Sequence, residues 1–306
     1  MTMARYRYFT ADVFTDTPFS GNQLAVFPDA RGIPEHRLLD VTREFNYSET
    51  TFVYPPADPA HTRRVRIFTP GEEVPFAGHP TVGTAHVLAA IGDIALGSDV
   101  TRVVFEEGVG PVPVAIRASN GVPVSAQLSV AKLPETGPLA ASHDAIAATL
   151  GLDVSDLLGG DWSPQTLSCG LPYLFVPVRD MAAVAKARIR MDTWDVTLKG
   201  TWASEVFVFA RGGERAGTSF RARMFAPGLN VPEDAATGSA NAALAGYLAA
   251  RETRRDGLLT WRVEQGFEMG RPSIIDVEAD VAGGHVTAVR VGGASVLVAE
   301  GTMAIA

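Results

Sequence analysis

At 306 residues, 46 % hydrophobic and 20 % charged, the chain is long enough to bury sizeable cores without disulfide or metal staples. Its net charge of -8 and its scattered Lys and Arg argue against nucleic acid, since a phosphate-binding surface clusters its cations. The lone cysteine, Cys169, excludes an internal disulfide, and no apolar run approaches the length of a membrane helix.

The N-terminal MTMARYRYFTADVF lacks the apolar core of a secretory leader, so a cytoplasmic protein without membrane partners is expected. Residues 5–14 and 24–27 read as strands, 38–45 as a helix, and 51–54 and 64–68 as strands. Pro70-Gly71 marks a turn, and 78–90, rich in Ala and small residues, reads as a buried helix. Strands are expected at 101–105 and 112–117. Pro134, Gly137 and Pro138 punctuate the half boundary. Beyond it come helices at 143–150 and 181–187 and strands at 174–178, 206–210 and 286–291.

The chain also contains itself twice. Arg64-Val-Arg-Ile-Phe-Thr-Pro-Gly-Glu-Glu-Val-Pro75 aligns with Arg221-Ala-Arg-Met-Phe-Ala-Pro-Gly-Leu-Asn-Val-Pro232 at one constant offset. Arg64/Arg221, Arg66/Arg223, Phe68/Phe225, Pro70/Pro227, Gly71/Gly228, Val74/Val231 and Pro75/Pro232 are identical. After a short acidic insertion in Glu233-Asp-Ala-Ala-Thr237, Gly78 meets Gly238 and Leu88-Ala-Ala90 meets Leu248-Ala-Ala250. The expected fold is therefore α+β: two pseudo-symmetric lobes, each a mostly antiparallel β-sheet or barrel around a central helix. The N-terminal lobe is placed at 1–132, with completion by a C-terminal strand at 293–306 left open, and the C-terminal lobe at 133–306.

The two helix starts carry the candidate chemistry. Pro80 is favoured at a first helical position, which makes His79 the expected cap; Ser239 takes that place in the second copy. Each start offers free backbone N–H groups and a partial positive charge, while Gly78 and Gly238 let a ligand approach the backbone. Together they form an expected clamp for a small anion, carboxylate or phosphate, between the lobes. His79 is a natural proton carrier, and Asp234 stands in the insertion, four residues before Gly238. Glu49 is the only acid in its own segment, Asn46-Tyr-Ser-Glu-Thr-Thr-Phe-Val-Tyr54, which leads into a buried strand; desolvated there, its pKa would rise toward that of a proton shuttle. Glu205 also follows a serine and precedes an apolar run, as a match to Glu49. The structural alternatives are close packing for the glycines, capping for His79 and Asp234, and a solvated Glu49. No GxGxxG, P-loop, HExxH or GxSxG occurs, and the six histidines lack metal-ligand spacing, so neither cofactor nor metal is expected.

Phe14-Thr-Asp-Thr-Pro-Phe-Ser-Gly-Asn-Gln23, Asn46-Tyr-Ser-Glu49, Phe76-Ala-Gly-His-Pro-Thr81 and Glu233-Asp-Ala-Ala-Thr-Gly-Ser-Ala240 resemble the PhzF-like family of phenazine biosynthesis, within the diaminopimelate-epimerase-like fold. The resemblance covers nearly the whole chain. It implies a homodimer, cofactor-independent isomerisation of a dihydro-hydroxyanthranilate, Glu49 as acid/base, and His79 and Asp234 as assistants. Gly78, Gly238 and Ser239 would bind the substrate carboxylate. Two departures stand out. Ala235 replaces a proline usual after the aspartate, and Ala77 and Thr237 occupy the places where epimerase and racemase relatives carry thiols. A racemase using non-thiol bases and a non-catalytic binding protein are the competing readings.

Overall fold

The computed structural model describes residues 4–97 and 99–306, in two compact units. One runs through Ala131 and takes back Gly292–Ala306; the other is Lys132–Val291. The chain is sheet-dominated α+β, as the sequence predicts.

In the first unit, strands including Ala4–Val13, Asn22–Phe27, Glu49–Tyr54, Arg63–Phe68, Val100–Glu107 and Ser295–Ile305 accompany helices α1 (Leu38–Phe45) and α2 (Gly78–Ala90). Every residue of α2 from Gly78 to Ala89 is buried. A helix enclosed by strands on all sides has no polar face to show, which is why its sequence carries small and apolar residues throughout. The fit is tight. A Cβ on Gly83 would lie 2.5 Å from Val13 Cγ2 and 2.6 Å from Leu24 Cδ2, so strands crowd the helix at that turn.

The second unit repeats the plan. Its central helix α6 (Gly238–Ala249) packs on strands Gln165–Ser168, Pro172–Pro177 and Ser273–Ala282. Phe175, Phe207, Phe209 and Phe220 form an aromatic cluster with Tyr247 of α6 or with one another. Helices α3 (His143–Leu150), α4 (Met181–Lys186) and α5 (Met191–Thr197) cover the other side, where Ile146, Val184, Trp194 and Val208 share a core cluster.

Strand register makes the repeat quantitative. Tyr54 pairs with Arg64 in the first unit, and Ala210 pairs with Arg221 in the second. Since Arg64 matches Arg221, counting back along the two strands sets Glu49 opposite Glu205 in the repeat. Likewise Arg64 pairs with Glu106 and Arg221 with Glu264, so Glu107 corresponds to Gln265.

The structure corrects the expected caps. Helix α2 begins at Gly78 with Ala77 as N-cap, and α6 begins at Gly238 with Thr237 as N-cap; neither cap side chain bonds the helix. Pro80 fits inside the first turn because its missing N–H would have no intrahelical partner there. His79 and Ser239 are therefore second helical residues, and their side chains serve other contacts.

Candidate active site

In the first unit, strand Glu49–Tyr54 delivers Glu49 to the start of α2. Its Oε2 lies 3.3 Å from His79 Nε2, close contact without the alignment of a hydrogen bond. The Glu49 side chain is 17 % exposed, but Oε2 itself is shielded from solvent. Burial pushes the carboxyl from 4.5 up to about 7, with the neighbouring Ser48 hydroxyl opposing the rise. Such a group exchanges its proton near neutrality.

Asn22 orders the histidine. Ser48 Oγ donates to Asn22 Oδ1 at 3.0 Å, which turns Nδ2 toward His79 Nδ1 at 3.3 Å. An imidazole whose Nδ1 accepts carries its proton on Nε2, the nitrogen facing Glu49. Asn22 follows a strained loop. Phe14 and Phe19 sit at φ 64 and 68, and Gly21 at φ +66, where a Cβ would meet Val13 O at 2.4 Å. The Asp12 carboxylate accepts from Phe19 N at 2.7 Å and holds this turn. Asn22 lies within the Phe14–Gln23 motif, but its role emerges only from the contact across to His79.

In the second unit, Asp234 ends strand Val231–Asp234, and its Oδ2 accepts from Thr237 Oγ1 at 2.6 Å. Gln265 Nε2 donates to the Asp234 carbonyl and lies 2.9 Å from Thr237 Oγ1. Gln265 Oε1 accepts from Thr237 N and Asn241 Nδ2, both at 3.2 Å. Gly266, at φ +78, allows this approach: a Cβ there would meet Ala235 O at 2.6 Å. The Ser239 and Tyr173 hydroxyls share a hydrogen bond of 2.6 Å. Thus Glu49, His79 and Gly78 come together in the first unit, and Asp234, Gly238 and Ser239 in the second.

Glu107 is a buried acid that sequence reading passes over. Thr81 Oγ1 lies 2.7 Å from its Oε1 and 2.8 Å from the Ala77 carbonyl. A hydroxyl has one proton and a carbonyl can only accept. With the Thr81 proton on Ala77, the Glu107 contact requires the proton on Glu107. Burial pushes this carboxyl up to about 8, against the Thr81 hydrogen bond, in keeping with a neutral acid. Adjacent Glu106 points to the opposite face, as strand alternation dictates. It accepts from Ala57 N and Asp58 N, which with His61 hold its carboxyl down at about 2.

A family model described as phenazine biosynthesis-like protein matches residues 11–301. The chain belongs to this family. It is 40 % identical to an uncharacterized isomerase of Mesorhizobium japonicum, over 99 % of this chain and 100 % of that one. It is 35 % identical to trans-2,3-dihydro-3-hydroxyanthranilate isomerase of Pseudomonas aeruginosa, over 97 % of this chain and 98 % of that one. The crystal structure of the Bacillus anthracis PhzF-family phenazine biosynthesis protein superposes with a TM-score of 0.87 at 25 % identity, covering 99 % of this chain and 100 % of that one. The protein is an isomerase.

Among the described residues, no three His, Cys, Asp or Glu side chains gather as a metal set, and no helix is long and apolar enough to cross a membrane. Cys169 is half-buried, and burial, with Glu135 nearby, pushes its thiol up to about 12. A thiol held neutral is a poor nucleophile. Iodoacetamide at neutral pH is therefore expected to leave activity intact; loss of turnover in step with Cys169 alkylation would put a working thiol in the reaction.

Proposed function

We propose that this isomerase shifts a proton on a small carboxylate substrate without a cofactor, using Glu49 as general acid/base. The carrying observation is a shielded carboxyl poised near neutrality beside His79 Nε2. In its ionised form Glu49 takes the proton from an acidic substrate C–H; in its protonated form it returns that proton to another carbon, and the double bond moves. No electrons leave the substrate. His79 steadies the Glu49 carboxylate, and Asp234 orients polar groups of the substrate. The first-turn amides at Gly78, Gly238 and Ser239, which have no intrahelical acceptor, are assigned to the substrate carboxylate, which suits the positive end of a helix.

The name of the Pseudomonas relative supports a cyclic substrate of the dihydro-hydroxyanthranilate kind. Family likeness likewise supports a homodimer, to be read by light scattering. Turnover of trans-2,3-dihydro-3-hydroxyanthranilate in D2O tests the reaction class. The expected product has a displaced double bond and an unchanged stereocentre. Deuterium at an inverted stereocentre with no double-bond shift would replace the isomerisation with epimerisation.

A further inference from the structure

The second unit has its own Ser-Glu pair, Ser204-Glu205, at the repeat position of Ser48-Glu49. Among the described residues its carboxyl bonds to Ser204 and Gly228, not to a histidine or the start of α6. It lines a cavity of about 390 Å³ among residues that the proposed proton transfer does not use. Gly228 makes room for it: a Cβ there would lie 2.3 Å from Glu205 Oε1.

Three observations describe what this cavity lacks. Glu205 is 4 % exposed; its Oε1 accepts from Ser204 Oγ at 2.8 Å, while its Oε2 is buried and accepts no hydrogen bond among the described residues. A buried carboxyl oxygen without a partner is costly, and burial raises the pKa of Glu205, so either a proton or an arriving donor completes the site. The walls are aromatic and aliphatic. Trp194 is buried with its Nε1 donated to Ser204 O, and Trp202 lies against Gly137. The mouth exposes large apolar side chains, Leu171 at 38 %, Trp202 at 40 % and Leu229 at 48 %. The cavity's own cation, Lys199, pairs with Asp195, Nζ 2.7 Å from Oδ1, and stands 5.9 Å from the Trp194 ring centroid.

We infer that this cavity is a second binding site, for a small organic amine with an aromatic body. The ammonium pairs with the Glu205 carboxyl, the indole walls favour the cation and cover the ring, and Leu171 and Leu229 close over the apolar part. An anion of the same shape would bring its charge against the Glu205 side.

Tryptamine and indole-3-propionate, equal in outline and opposite in charge, make the test by calorimetric titration of the full-length protein. Tryptamine is expected to bind saturably to wild type and equally to Glu49→Gln. Glu205→Gln is expected to weaken it about ten- to a hundredfold, the worth of one hydrogen bond to a charged group. Trp202→Ala, at the exposed rim, is expected to weaken it as well, and serves if Glu205→Gln does not fold. Absent saturable binding, equal binding of the propionate, or undiminished affinity in either folded variant would overturn the site.

Discussion

Glu49→Gln is expected to lower kcat by about a hundred- to ten-thousand-fold, the usual contribution of a positioned proton-transfer group. Glutamine keeps the shape of the side chain, but cannot carry the proton. The fold should not suffer. The folded carboxyl titrates near 7 and the unfolded one near 4.5, so native stability falls as pH rises between those values. Removing the acid therefore leaves the variant at least as stable as wild type at pH 8. Steady-state turnover and thermal unfolding, measured together, check both halves; a folded variant with full turnover ends the assignment. In the wild type, a base titrating near 7 makes kcat/KM climb through that pH and level above it. A profile flat from pH 6 to 8 would give the proton to another group.

The duplication was legible because turns and strand ends preserve side-chain identity: Pro70-Gly71 and Pro227-Gly228 mark the same corner twice. Helices α2 and α6 were legible because full burial leaves a composition of small apolar residues. Strands Gly257–Gln265 and Ser273–Ala282 were not picked out: the first buries an acid, Glu264, among its apolar positions, and the second carries three acids, Asp276, Glu278 and Asp280, on its outer face. Helix α5 was missed because its seven residues, MDTWDVT, bury only Trp194 and show no apolar stripe. The caps were misread because Ser and Thr hydroxyls near a helix start have competing partners. Thr237 gives its proton to Asp234, and Ser239 pairs with Tyr173, a residue remote in sequence. The same remoteness hid Asn22 and Glu107. Each acts through a contact that a one-dimensional spacing does not record, whereas Glu49, His79 and Asp234 stood out by residue type beside the glycine-led helix starts.

The repeat also explains why an acid as buried as Glu107 is tolerated, and predicts what replaces it. Its counterpart Gln265 holds the start of α6 by donating through Nε2 and accepting through Oε1. A protonated Glu107 does the equivalent for α2, donating to Thr81 while Thr81 donates to Ala77. The arrangement lasts only while the proton stays. Below about 4.5 folded and unfolded chains both hold it, and the full stability is present. Between 4.5 and 8 the unfolded carboxyl ionises and the folded one does not, so stability declines with rising pH; above 8 both are ionised and the loss is complete. The span corresponds to a loss on the order of 5 kcal/mol. Glu107→Gln supplies the donor permanently. The variant is expected to match wild type near pH 5 and to exceed it progressively up to pH 8.5, approaching that figure. Denaturant unfolding of both proteins across this range isolates the residue, because every other titrating group cancels in the difference. A difference independent of pH, or a variant less stable at pH 8.5, would mean that Glu107 is ionised in the folded protein and that Thr81 is its donor.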